Sequence, residues 1–195
     1  NAESWTTDLS GLRPHQIANK GMVRTFQLTK SLAKMTVIDN MLLGAAEQKG
    51  ESLRNALLPS RWQKQEKQIL KKAEDLLGRF KLSHMRDEYA ATLSGGQRKL
   101  LEMARALMSE PKLILLDEPM AGVNPVLVES LLVHIENLRD EGVSVLFIEH
   151  DMDAIMGISD WIVVLAEGQV IAEGTPSDVS KNPAVIEAYL GSAIA

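Results

Sequence analysis

The chain has 195 residues and a mass of 21.5 kDa, enough for one α/β domain with a core and a small insertion. With 45% hydrophobic and 24% charged residues it is neither disordered nor fibrous, and a net charge of −5 argues against a broadly basic nucleic-acid binder. No cysteine is present, which excludes disulfides, cysteine-held zinc and thiol catalysis together.

In chain order, the stretch 31–92 is rich in Lys, Gln, Glu, Met and Leu and reads as a helical subdomain. Leu57-Leu58-Pro59-Ser60 breaks the pattern, and Ile69, Leu70, Ala73, Leu76, Leu77 and Phe80 then predict a helix over 63–80. A second helix follows Leu93-Ser94-Gly95-Gly96-Gln97 through Leu100, Leu101, Ala104, Leu107 and Met108. Leu113 to Leu116 and Val143 to Ile148 are short continuous apolar runs, which predict strands buried on both faces of a parallel sheet. Between them Pro125 to Arg139 carries an apolar stripe, with Asn124 as N-cap, Pro125 at the first helical position and Gly142 beyond the end. Strand, helix, strand is a βαβ unit, so the fold class is α/β. Trp161 to Ala166 predicts a further strand, with Gln169 to Ala172 returning as a hairpin partner. The longest apolar runs fall far short of the ~20 residues needed to span a bilayer. Trp5, Trp62 and Trp161 are assigned to packing, since none adjoins a candidate phosphate motif.

Three segments carry candidate chemistry. Ser94 and Gln97 form a capping box, while two glycines in the same first turn suit a backbone approached closely by a phosphate; both readings stand. Asp117 and Glu118 close an apolar strand at the edge where α/β sheets bind ligands. There Asp117 suits Mg²⁺ and Glu118 a general base, against the plainer reading of a solvated acidic loop. His150 follows the next strand and is expected at the same edge, in contact with a γ-phosphate or the attacking water, or else structural.

Taken together these segments resemble the ATP-binding-cassette ATPases. Leu93 to Gln97 resembles their signature sequence, Leu113 to Glu118 their Walker B strand, His150 their switch histidine and Gln27, in Arg24-Thr25-Phe26-Gln27, the glutamine of their Q-loop. Ala121-Gly122-Val123-Asn124-Pro125 takes the D-loop position, with Asn124 where many cassettes have Asp; an N-cap role explains it equally well. A narrower likeness, to the ATPase subunit of branched-chain amino-acid importers, rests on Gly11 to Ala18, Gly21 to Gln27, Met35 to Asn40 and, in the tail, Ile171 to Pro176, Asn182-Pro183 and Val185 to Gly191.

The resemblance implies a parallel-sheet, P-loop-NTPase-like core with a helical subdomain. Residues 1–30 would be the remainder of a catalytic lobe, 31–92 the helical subdomain, 93–169 the signature, Walker B, D-loop and switch core, and 170–195 a C-terminal segment. ATP and Mg²⁺ are the implied substrate and cofactor. Ser94, Gly95, Gly96, Gln97 and Asn124 would contact nucleotide, Asp117 and Gln27 would hold Mg²⁺, and Glu118, His150 and Gln27 would act in hydrolysis. Implied partners are a second ATPase subunit, identical or different, and a membrane permease on the cytoplasmic face, with no nucleic acid. Urea uptake, lipopolysaccharide export, a DNA-repair or translation cassette and a non-catalytic fragment are the alternatives.

The Walker A pattern, G-x-x-x-x-G-K-S/T, does not occur in these 195 residues, and no Gly-Lys dipeptide is present. The family places it a few tens of residues before the Q-loop, so the reading is an N-terminally truncated cassette that binds ATP weakly or not at all by itself.

Overall fold

Three short strands, β1 (Met22–Arg24), β2 (Leu113–Asp117) and β3 (Ser144–Ile148), form a parallel sheet in that order. Parallel neighbours need a crossover, and α5 (Pro125–Asp140) supplies it between β2 and β3. The Asn124 side chain accepts the Leu127 N–H at 2.9 Å, Pro125 opens the helix, and Gly142, at φ +86°, turns the chain out of it. The computed structural model describes residues 8–25, 32–46, 48 and 62–190, so the predicted break at 57–60, Trp5 and Gln27 lie outside them.

Burial on the sheet differs from the expectation of two covered faces. Ile114 and Leu116 are buried, and their register partners Val145 and Phe147 share that face. On the opposite face Leu146 and Ile148 are 54% and 61% exposed. Ser144 is the one polar residue in that outer row, and with Leu146 and Ile148 beside it the alternation is largely hidden in the sequence.

The helical part is built on α2 (Val37–Leu42), α3 (Gln63–Arg79) and α4 (Gly95–Leu107), which pack pairwise on one another. The predicted helix over 63–80 is α3, with Ala73 and Leu77 buried and Phe80, also buried, as its C-cap. Lys72 of α3 donates from Nζ to the Met108 carbonyl at 2.9 Å, placing an ammonium at the C-terminal end of α4 where orphan carbonyls and the helix dipole favour it. Asn40 of α2 is fully buried and satisfied: its Oδ1 accepts the Leu32 N–H at 2.8 Å, and Nδ2 donates to the Thr36 carbonyl at 2.9 Å. The turn after α2 comes so close to α4 that a Cβ on Gly44 would stand 2.3 Å from the Arg105 carbonyl oxygen.

The structure divides into two compact units between Ile148 and Glu149. In the second unit, β4 (Ile162–Ala166) and β5 (Gln169–Gly174) form the expected antiparallel hairpin. Ile162, Val164, Val179 and Val185 make its core, drawn from β4, from α7 (Pro176–Val179) and from α8 (Pro183–Leu190). Helix α6 (Met152–Ile158) adds Met152, Ile155 and Met156 to that core, with Asp151 capping its first turn. Trp161, just before β4, is 61% exposed.

Candidate functional site

Helix α4 begins at an exposed tip. Ser94 Oγ accepts the Gln97 N–H at 3.2 Å and Gln97 Oε1 accepts the Ser94 N–H at 2.9 Å, so the capping box is formed. Gly95 and Gly96 occupy the first two helical positions, whose N–H groups have no intrahelical acceptor. The two glycines serve different ends. Gly95 is exposed, and a Cβ there would meet only the Gly122 carbonyl oxygen, at 3.9 Å. Gly96 is buried, and its Cβ would come 2.5 Å from Leu127 Cδ1 and 3.3 Å from Val123 Cγ1. A side chain would find room at Gly95, whereas the space beside Gly96 is taken by α5.

At the end of β2 the two carboxylates diverge in their surroundings. Asp117 Oδ2 accepts from Arg24 Nη2 at 2.9 Å, a cross-strand ion pair in which the Asp117 side chain is 24% exposed and Arg24 59%. Glu118 adopts φ +44°, a left-handed conformation that L-residues disfavour, directly before Pro119, where the backbone is further restricted to extended values. The surrounding structure ties both ends of this residue. Its N–H donates to the Ile148 carbonyl at 3.0 Å; its carbonyl accepts from Lys99 Nζ at 2.6 Å and from the Ala121 N–H at 3.2 Å. Strained non-glycine residues concentrate at functional sites.

Lys99 lies four residues into α4, one helical turn below the tip, so the tip and the strand end are neighbours in this fold. A cavity of about 20 Å³, room for about one water, is lined by Thr25, Lys99, Glu102, Leu116, Asp117 and Leu131 among others. It is far too small for a nucleotide.

His150 falls two residues beyond β3, in the second compact unit, with its side chain 76% exposed. Its Nδ1 stands 3.8 Å from Glu149 Oε2, an ion pair only when the imidazole is protonated. Asn124 is engaged as the N-cap of α5. Lys99 and Arg24 were missed as site residues from sequence, because their partners are a backbone carbonyl and a neighbouring strand.

The donor types fit the two implied groups. An exposed, capped helix tip suits a phosphate, and Asp117 is a strand-end carboxylate of the type that binds Mg²⁺, here paired with Arg24, which a cation would have to displace or share. No cluster of three or more His, Cys, Asp or Glu side chains able to hold a metal occurs among the described residues. Mg²⁺ asks for less, being commonly held by one or two carboxylates together with phosphates and water.

A parallel α/β sheet with an acidic pair at the carboxyl end of β2 and a helix tip beside it has the architecture of a nucleotide-binding core. Comparison with known proteins makes the assignment narrower. Residues 3–121 match the ABC transporter family model and residues 169–195 that of the branched-chain amino acid ATP-binding cassette transporters; the chain belongs to the ABC transporter family. A probable branched-chain amino acid transport ATP-binding protein LivG from Archaeoglobus fulgidus is 47% identical over 185 residues, covering 95% of this chain and 71% of that protein. The high-affinity branched-chain amino acid transport ATP-binding protein BraF of Pseudomonas aeruginosa is 39% identical, over 95% of this chain and 74% of its own length. Among solved structures, the ADP conformation of an ATP-binding cassette of an ABC transporter superposes with a TM-score of 0.77 at 40% identity, covering 95% of this chain and 74% of the other. A nucleotide-free cassette gives 0.76 at the same identity, over 94% and 74%.

Proposed function

We propose that the chain is the ATP-hydrolysing subunit of a transporter that takes up branched-chain amino acids. The names of the LivG and BraF relatives, and the match of residues 169–195, support the solute class. The observation that carries the catalytic part is Glu118, held in a left-handed conformation at the end of β2 by bonds at both its N–H and its carbonyl.

In this reading Glu118 accepts the proton of the water that attacks the γ-phosphorus, and His150 and Gln27 orient that water and the γ-phosphate. Asp117 and Gln27 would hold Mg²⁺, which would offset charge on the phosphate oxygens. For Asp117 to serve, Arg24 must release or share its carboxylate. Ser94, Gly95, Gly96, Gln97 and Asn124 make up the part that meets the nucleotide of a second ATPase subunit, with Ser94 and Gly95 at its surface, Gly96 behind them against α5 and Asn124 at the start of α5. Ser94 offers its hydroxyl hydrogen, and Gly95 its N–H, at the positive end of the α4 dipole. Gln97, engaged in the capping box, shapes the tip that does this. The subunit works on the cytoplasmic face of the membrane against a permease, to which residues 31–92 transmit closure and reopening. Among the described residues no helix is long and apolar enough to cross the bilayer, which accords with a peripheral subunit.

The test is Glu118→Gln in the assembled transporter. A carboxamide keeps the shape but cannot take the proton, so ATP turnover is expected to fall by about 10²-fold or more while nucleotide affinity is retained. Turnover equal to that of the unaltered protein removes Glu118 from the reaction.

A further inference from the structure

We propose that Lys99 is the positioning residue for Glu118. The inference rests on Glu118 being the base and concerns what aims it. A glutamate before a proline does not settle at φ +44° unaided, so its neighbours must hold it there. Three bonds do so. Two of them, to the Ile148 carbonyl and from the Ala121 N–H, are backbone bonds of the strand and the turn. The third, from Lys99 Nζ at 2.6 Å, is the only one of these three made by a side chain and the only one that carries charge.

Its origin gives it a further role. Lys99 stands on α4, one turn from Ser94 and Gly95, so the helix that presents the tip also holds the backbone of the carboxylate at the end of β2. A shift of α4 along its axis therefore changes the Nζ-to-carbonyl bond and with it the aim of Glu118. In a subunit whose tip faces one nucleotide and whose base faces another, Lys99 links the two.

The experiment compares Lys99→Met, which keeps the aliphatic stem, with Lys99→Arg, which keeps a charged donor. Amide hydrogen exchange at Glu118 is read on the chain, and ATP turnover and nucleotide affinity on the assembled transporter. For Lys99→Met we expect lost protection at the Glu118 amide, kcat lower by about 10²-fold, and nucleotide affinity within about twofold of the parent. Lys99→Arg should recover most of both losses, which a general defect in folding would not allow. The proposal is overturned if the Glu118 amide stays protected in Lys99→Met, if turnover is unchanged, or if the arginine variant is no better than the methionine one. Glu118→Gln serves as the reference. If it leaves turnover intact, the assignment of the base has failed; if it abolishes turnover while Lys99→Met does not, only the role of Lys99 has failed.

Discussion

Replacing Glu118 by glycine should strengthen the fold while removing the carboxylate. In the left-handed region an L-residue costs roughly 1–2 kcal/mol relative to its ordinary conformation, a cost glycine escapes. Glycine in turn loses more backbone freedom on folding, by roughly 0.5–1 kcal/mol. The bonds to Ile148, Lys99 and Ala121 all involve backbone atoms of residue 118 and persist in the variant. The net gain for Glu118→Gly at φ +44° is then about 0–1.5 kcal/mol, or up to roughly 6 °C in Tm for a chain of this size. Glu118→Ala is the control, since it also lacks the carboxylate but keeps the strain. Urea and thermal unfolding of the three proteins side by side make the measurement. If Glu118→Gly unfolds no later than Glu118→Ala, the backbone at this position is not strained and the reasoning from its conformation fails.

Two further outcomes follow from packing. Gly44→Ala drives a methyl against the Arg105 carbonyl oxygen and within 3.1 Å of Met108 Cβ; because the first is backbone, relief requires α2 and α4 to part. The expected loss is about 1–3 kcal/mol, read as a lower urea midpoint. His134 of α5 is buried against Phe80, with ring centroids 4.3 Å apart, and neither ring nitrogen finds a hydrogen-bond partner. Burial, reinforced by the nearby charges of Arg79 and Lys81, holds its pKa below the ordinary 6.5. The unfolded chain therefore binds the proton more readily than the folded one, and His134 costs stability as pH falls through 6.5 toward the lower folded value. Unfolding in urea at pH 7.5 and at pH 5.5 should show that loss, and His134→Phe should flatten it; an unchanged pH dependence in the variant would assign the effect elsewhere.

Local chemistry in the sequence foretold the elements whose signals are themselves local. Asn124, Pro125 and Gly142 mark the two ends of α5, and Ser94 with Gln97 marks the start of α4, because caps and turns are decided within a few residues. Features decided by distant partners were not legible in the same way. The exposure of Leu146 and Ile148 depends on what covers the sheet, and Ser144 alone in their row is a weak sign of it. The glycine pair read as one device; only the approach of Leu127 shows that Gly96 exists for α5 and Gly95 for the open surface. Asp117 and Glu118 stood out as an acidic pair, yet the ion pair with Arg24 spans 93 residues of sequence and the bond from Lys99 spans 19. No periodicity reports such contacts. The division at 148/149 was equally hidden, since Ile148 and Glu149 adjoin without a proline, glycine or change of composition.

The capping box at Ser94 has a consequence for which residues can stand in its place. A hydroxyl that receives the Gln97 N–H on a lone pair still has its own hydrogen to give away, so the group serves the helix inward and an anion outward at once. Aspartate and asparagine close helices as well as serine does, and by the criterion of folding alone the three are interchangeable. Facing a polyphosphate they are not: the acid repels it, and the amide turns its oxygen to the helix and aims its nitrogen by a longer, differently angled arm. Stability and recognition thus accept different alphabets at this one position.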